Sequence, residues 1–498
     1  MSVPLGALLP DEEVLGCQLP RTFPISGLSC DSRKAREGDL FFALPGMHAN
    51  GAKFVADAAA NGAVAAVSEE DLPDAPVPVI RVRDARMAMA LMATAFYENP
   101  SGALKVVGIT GTNGKTTSVF LTRHILEETG RRCGMIGTIR YITGDAEEEA
   151  PRTTPESIDL QALLARMRDA GCTAAAMEVS SHALSQKRTE GIDFDVAVFT
   201  NLTQDHLDYH KTMAAYFEAK AMLFDRIAAQ TAKKGRAVIN ADDRFGHRLI
   251  ERVGRRVTVT TFGFGARADF RATDVRMEAS GTTFHLEARR RTYLVRLPLI
   301  GAFNVSNALA AVTACASMGT EVRAAVAALA RAPQVPGRLE RVPARRNFQV
   351  FVDYAHTDDA LRNVLRTLRA LRPERLIVVI GCGGDRDRAK RPLMAAAAEQ
   401  EADHAIFTSD NPRSEDPAAI LADMQAGLHG SNHEVIEDRD AAIRRAVEIA
   451  GAGDIVLIAG KGHETYQEFA DGRVPFSDVK AARWAIEGRP VELEEEEV

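Results

Sequence analysis

The chain has 498 residues, 46% of them apolar and 26% charged, with a formal net charge of −7. That length allows about three ordinary domains with well-filled cores, and without a basic surplus nucleic acid is excluded as the expected partner. Nowhere do about 18 uncharged apolar residues run together, and MSVPLGALLPDEEVLGC has no basic stretch ahead of an apolar one, so a cytoplasmic protein with no membrane insertion is expected. Cys17, Cys30, Cys133, Cys172, Cys315 and Cys382 form no C-x-x-C pair, which argues against a disulfide framework or a cysteine zinc site. Glu494 to Glu497 read as a solvated tail.

In chain order, DARMAMALMATAFY at 84–97 reads as a helix capped by Asp84 and stopped by Asn99-Pro100, which puts a first boundary near residue 99. The strand KVVGIT follows, then Gly111-Thr112-Asn113-Gly114-Lys115-Thr116-Thr117 and a helix from Lys115. Glycines there let backbone N–H groups reach phosphate oxygens, the helix presents its positive end, Lys115 adds a charge and Thr116 offers a hydroxyl to Mg²⁺. Ile109 stands where the usual spacing has its first glycine, so this is a G-x-x-G-K-T variant, and an ATP or GTP site is the inference.

CTAAAMEVS, DVAVFTN and RAVINADD continue the strand–helix alternation, with a helix around 213–228. RAPQVPGRLE at 331–340 reads as a linker. Beyond it FQVFVDYAH, RLIVVIGCGG, HAIFTSDNP and DIVLIAGKG alternate with helical segments in the same way, one helix starting near Pro417. Such alternation predicts an α/β protein with largely parallel sheets, whose ligands bind at the carboxyl ends of strands.

The polar clusters fall at those ends. Glu178, Ser180, His182, Gln186 and Arg188 follow one strand; Asn201, Asp205, His206, Asp208 and His210 follow another. Carboxylates and imidazoles gathered there can hold Mg²⁺ beside a nucleotide. His206 and His210 also have the i, i+4 spacing of a zinc pair but lack an H-E-x-x-H arrangement, and His210 alone reads as a surface or satisfied histidine. Lys220 has Tyr216, Phe217, Leu223 and Phe224 as helical neighbours, so it is either a snorkelling lysine or an amine held at a desolvated site. At another strand end Asp410, Asn411, Pro412 and Arg413 set an acid, an amide, a rigid imide and a guanidinium side by side; a surface salt bridge is the plain alternative for Arg413.

TGTNGKTT, EVSSHALSQKR, FTNLTQDHLDYH, YFEAKAMLF, GAFNVSNALAA, DYAHTDDAL, GCGGDRDRAKRPLM, DNPRSEDP and GKGHETYQ together resemble the Mur ligases, ATP-dependent enzymes that add amino acids to the peptidoglycan precursor. Among them the chain looks most like those that add the third amino acid to UDP-N-acetylmuramoyl-L-alanyl-D-glutamate. The resemblance implies a UDP-binding domain at 1–99, a central P-loop ATPase-type domain at 100–335 and a C-terminal Rossmann-like, doubly wound domain at 336–498 that binds the amino acid. It implies that Gly111 to Thr117 bind ATP phosphates, with Asn307 and Asp353 near the adenosine. Thr116, Glu178, His206 and Lys220 would serve magnesium, and Lys115, Glu178, His206 and Lys220 catalysis. Lys220 matches a lysine carboxylated by CO₂, a change that turns a cation repelling Mg²⁺ into an anion. Cys30, Ser32, Met47, His48, Ala49, Thr153, Thr154, Ser180, Gln186 and Arg188 would hold the UDP-muramoyl-dipeptide. Met47 stands where relatives often have a polar residue, and Asp358 where proline is common.

Arg386, Asp410, Asn411, Pro412, Arg413, Gly460 and Glu464 match the amino-acid site. Arg413 can grip a carboxylate through paired hydrogen bonds, while Asp410 and Glu464 can accept from an ammonium. Meso-diaminopimelate has a distal carboxylate that lysine lacks, and a buried guanidinium left unpaired costs about 3–5 kcal/mol, so diaminopimelate is expected over lysine. The implied mechanism passes through an acyl phosphate, in a chain expected to be monomeric. A lysine-adding ligase, a folylpolyglutamate synthase-like ligase and a non-enzymatic nucleotide switch are the alternatives.

Overall fold

The computed structural model describes residues 2–46, 50–344 and 346–489. Contacts divide the chain into two units, one of 1–273, 286–293 and 306–329, the other of 274–285, 294–305 and 330–498.

The first unit opens with a small sheet in the order Val14–Gly16, Val79–Val82, Ala65–Ser68, Asp39–Phe42, Gly27–Ser29, parallel except at its first pair. The helix Ala85–Phe96 follows, capped by Asp84, whose carboxylate accepts from Met87 N at 2.8 Å. Asn99 takes φ 44° and Pro100 starts a short helix of its own, Pro100–Ala103.

The larger sheet sets Lys105–Thr110 between Ala174–Glu178 and Val196–Phe199, both parallel to it. The chain therefore leaves the middle strand with partners on both sides, and the following loop lies in the crevice at that switch point. Arg236–Asn240 and Thr258–Gly263 extend the parallel run, and the hairpin Arg140–Thr143 with Ala146–Glu149 adds antiparallel strands at the other edge. The expected helix around 213–228 is Met213–Ala229, capped by Thr212.

The second unit is built on the order Glu340–Val342, Gln349–Asp353, Ile455–Ala459, Leu376–Cys382, His404–Ser409, His433–Val435, parallel after its first pair. Alternate residues feed two cores: Val378, Ile380, Phe407 and Leu457 pack with Leu361, Leu365 and Met394, while Ile377, Val379, Ile406 and Val456 pack with Ile443, Ala446 and Ala482. Both faces are covered, which is why these strands read as unbroken apolar runs. The 331–340 segment is packed rather than loose: Gly337 O accepts from Tyr354 N at 2.9 Å, and a Cβ on Gly337 would lie 2.1 Å from His463 N. All six cysteines are free thiols. Among the described residues no helix is long and apolar enough to cross a membrane.

Candidate active site

In the first unit the loop after Lys105–Thr110 is stitched to the neighbouring strand end. Asn113 N donates to Asn201 Oδ1 at 2.9 Å, Thr200 Oγ1 to Asn113 O at 2.7 Å, and Thr203 N to Thr112 Oγ1 at 3.1 Å. Gly114 has φ 85°, and a Cβ there would sit 2.2 Å from Asn307 Oδ1, so the loop needs glycine and brings Asn307 against it. Thr116 and Thr117 are buried in the first turn of Lys115–Glu128.

Two amines meet at one carbonyl: Lys115 Nζ donates to Gly111 O at 3.0 Å and to Thr112 O at 2.8 Å, and Lys220 Nζ donates to Gly111 O at 2.8 Å. Lys220 is only 2% exposed, so it does not snorkel. Its amine lies 4.5 Å from the Tyr216 ring centroid, and the Tyr216 hydroxyl bonds Thr112 Oγ1 at 3.2 Å. Burial first, then the Lys115 charge, hold the Lys220 amine well below the ordinary lysine range, while Asp205 opposes. A lysine whose charged form is disfavoured gives up its proton more readily and so becomes a nucleophile more readily.

Glu178 is 1% exposed, and its carboxylate accepts from Thr138 N at 2.8 Å and Thr138 Oγ1 at 3.1 Å. Thr138 Oγ1 in turn lies 3.0 Å from Thr153 Oγ1, and Thr154 Oγ1 donates to Glu178 O at 2.9 Å. His206 takes φ 53° just before the short helix Leu207–His210. Burial pushes its imidazole down to about 4, leaving a neutral ring. His182 packs 5.0 Å from His206 and 5.5 Å from His210 by ring centroids. His210 turns inward, Nε2 bonding Ser181 Oγ at 2.9 Å with its ring stacked on Tyr216, a satisfied core histidine.

Among the described residues no three His, Cys, Asp or Glu side chains converge as a metal cage. Magnesium needs no such cage: it keeps waters and binds through one or two carboxylates plus nucleotide phosphates. The Glu178 carboxylate, the neutral His206 ring and the Thr116 hydroxyl suit that role, and a carboxylated Lys220 would add the oxygens that a hard cation prefers.

On the dipeptide side, Ser180 caps the helix Ser181–Ser185, and Ser180 N donates to Thr154 Oγ1 at 3.1 Å. Arg188 donates through Nη1 to Thr154 O at 2.8 Å and through Nη2 to Gln186 Oε1 at 2.6 Å, so Thr154, Ser180, Gln186 and Arg188 form one cluster. Ser32 begins a short 3-10 turn, and burial pushes the nearby Cys30 thiol up to about 12, which makes it inert. Met47, His48 and Ala49 lie outside the described residues.

In the second unit Asp353 is buried, accepting from Leu339 N at 2.7 Å and Ala355 N at 2.8 Å; burial raises its pKa above the usual carboxylate value. Asp410 to Arg413 follow His404–Ser409. A Cβ on Gly460 would meet Asp410 Oδ2 at 2.7 Å, and Asn411 Nδ2 donates to Glu464 Oε2 at 2.8 Å. A Cβ on Gly383 would lie 3.1 Å from Arg413 Nη1 and 3.8 Å from Arg386 Cγ, so Arg386 stands beside the turn as well. All seven expected residues of this cluster therefore border one another or the same turn.

Several partners here were not expected. Lys461 is fully buried, its amine donating to Asn411 Oδ1 and Glu464 Oε2 at 2.8 Å each. Arg391, 1% exposed, binds Glu415 and Asp423 and fixes the far side of the turn. Arg413, at φ 55°, is already paired with Glu468 at 3.1 Å. The expectation that it stands unpaired without a distal carboxylate is thus corrected.

Three family models match in order: the Mur ligase family catalytic domain at residues 24–97, the Mur ligase middle domain at 109–315 and the Mur ligase glutamate ligase domain at 337–462. The UDP-N-acetylmuramoyl-L-alanyl-D-glutamate–2,6-diaminopimelate ligase of Geobacillus kaustophilus is 47% identical over 469 residues, 93% of this chain and 95% of its own. The protein of that name from Listeria monocytogenes serotype 4b is 45% identical over 97% of this chain and 98% of its own. A solved structure of a ligase of that name matches with TM-score 0.71 at 38% identity, covering 98% of this chain and 99% of that one. Mycobacterium tuberculosis folylpolyglutamate synthase aligns at TM-score 0.62 over 82% of this chain and 96% of its own, but at 20% identity, a likeness of fold alone.

Proposed function

The chain belongs to the Mur ligase family, and from that premise we propose that it uses ATP to join meso-diaminopimelate to the D-glutamyl γ-carboxylate of UDP-N-acetylmuramoyl-L-alanyl-D-glutamate in peptidoglycan synthesis. The observation that carries this reading is the 47% identity, along 93% of the chain, to a ligase named for those substrates. The strand-end clusters supply chemistry that suits it. We assign residues 1–99 to the UDP end, 100–335 to ATP and the reacting carboxylate, and 336–498 to the amino acid, in a cytoplasmic monomer.

The glutamyl carboxylate attacks the terminal phosphorus of ATP, the bond to the bridging oxygen breaks, and ADP leaves behind an acyl phosphate. The amine of diaminopimelate then attacks the acyl carbon, the tetrahedral adduct expels phosphate, and the amine's proton is released. Loop N–H groups from Gly111 to Thr117 cradle the phosphates, and the Lys115 amine turns from backbone carbonyls to the phosphoryl oxygens that gain charge. Thr116, Glu178, His206 and carboxylated Lys220 would hold magnesium, which would offset phosphate charge. The Lys220 amine, whose charged form burial disfavours, adds in its neutral form to CO₂ and loses a proton to solvent, giving a carbamate beside Lys115. Thr153, Thr154, Ser180, Gln186 and Arg188 orient the muramoyl-dipeptide, with Cys30, Ser32, Met47, His48 and Ala49 toward its uridine end. Asn307 and Asp353 serve the adenosine, and Arg386, Asp410 to Arg413, Gly460 and Glu464 the amino acid.

Phosphate release measured with the UDP-muramoyl-dipeptide and either amine tests the assignment. Turnover with diaminopimelate is expected; turnover with lysine and none with diaminopimelate overturns it.

A further inference from the structure

The Arg413 guanidinium is held by two acceptors, neither of them a ligand. Nε donates to Glu468 Oε2 at 3.1 Å, and Nη1 donates to Gly384 O at 2.7 Å. Glu468 belongs to the hairpin Tyr466–Phe469 with Gly472–Pro475, whose backbone is locked to the turn independently of the side chain. Arg413 N donates to Glu468 O at 2.9 Å, and Glu468 N donates to Asn411 Oδ1 at 3.0 Å. The hairpin is thus fixed in register whatever the carboxylate does. The pair is only partly exposed, 24% for the Arg413 side chain and 30% for Glu468, so its charges are felt inside the site.

A guanidinium carries one positive charge over five N–H groups. With Nε on Glu468 and one Nη1 proton on Gly384, the Nη2 side is what remains to meet a ligand carboxylate. That ligand would share the cation with a carboxylate already in contact with it, and the two anions repel. Glu468 Oε1 also lies 3.5 Å from Arg473 Nε, so one carboxylate is shared between two guanidiniums; it still offsets part of the Arg413 charge and so eases the approach of a ligand ending in an ammonium. The resident carboxylate therefore narrows the margin between an amino acid with a distal carboxylate and one with a distal ammonium alone.

Resting on the diaminopimelate reading above, we propose that Glu468 is a specificity-determining residue, an internal surrogate for the substrate's distal carboxylate that weakens discrimination against lysine. Glu468→Gln keeps an acceptor for Nε and removes the charge; Glu468→Ala removes both. The measurement is kcat and KM for diaminopimelate and for lysine in the full-length chain at saturating ATP and dipeptide. For a partly screened pair, Glu468→Gln should lower the diaminopimelate KM about threefold with kcat unchanged and raise the ratio of kcat/KM, diaminopimelate over lysine, about tenfold. Glu468→Ala should move the ratio the same way. The KM for ATP stays constant and reports an intact fold. An unchanged ratio, or a raised diaminopimelate KM in Glu468→Gln, overturns the assignment to Glu468. Failure of the unaltered chain to turn over diaminopimelate overturns the substrate reading instead, and the two failures are distinct.

Discussion

The phosphate loop and the Asp410–Arg413 turn handle charge in opposite ways. At the loop, Lys115 and Lys220 both bond the carbonyl of Gly111, and burial with the Lys115 charge disfavours the charged form of Lys220 while Asp205 opposes. At the turn, Arg413 faces Glu468, Lys461 faces Glu464, Arg391 faces Glu415, and below them Arg439 and Asp478 form a fully buried pair at 2.7 Å. A charged Lys115 beside the loop N–H groups draws anions with little selectivity, which suits phosphate groups. Compensated pairs bind weakly until a ligand exchanges partners with them, which suits an amino acid that carries charges of both signs. One region is built to attract anions and the other to exchange charged partners.

The contrast breaks hardest at Lys220. If its amine is the group that becomes an anion beside Lys115, Lys220→Ala should cut kcat by about a thousandfold, and removing dissolved CO₂ should slow the unaltered chain but not the variant. A loss under tenfold in steady-state phosphate release would make Lys220 a packing residue. At the turn the effect should be smaller and confined to one substrate. Arg413→Ala should raise the diaminopimelate KM about a hundredfold, the worth of a charge-assisted pair of about 3 kcal/mol, and leave the ATP KM unchanged; an unmoved diaminopimelate KM would remove its role.

The two regions also differ in how far the sequence reveals them. The loop is legible because its chemistry is local: Gly114 at φ 85°, Lys115 and Thr116 lie within three residues and open a helix. The strands of the second unit are legible because both faces are buried, so Leu376–Cys382 reads as one apolar run. Asp410 to Arg413 can be picked out as an odd cluster, but Glu468, 55 residues on from Arg413, cannot. Its pairing depends on how the hairpin Tyr466–Phe469 docks on the turn, which no short-range spacing encodes. The same holds for Tyr216 and Thr112, 104 residues apart, and for the antiparallel edge Arg140–Thr143 with Ala146–Glu149, whose all-exposed second strand AEEE has no apolar alternation. Arg413 shows the cost of that blindness, since a guanidinium read as awaiting a ligand has a partner already.

The smallest test asks whether the loop region tolerates a further cation. His210 is 7% exposed against Tyr216, and burial, with His182 and Lys220 nearby, pushes its pKa from 6.5 to about 4. Between those values the unfolded chain binds a proton that the folded chain refuses, so stability is full above pH 6.5 and falls as pH drops toward 4. Between pH 7.5 and 5.0 this group alone should remove about 2 kcal/mol. Denaturant titrations at the two pH values should therefore show the unaltered chain losing about that much more than His210→Asn. Equal losses would mean that the imidazole takes up its proton in the folded state. The cluster around Lys220 would then accept positive charge freely, and the contrast between an amine-crowded loop and a compensated turn would lose its physical basis.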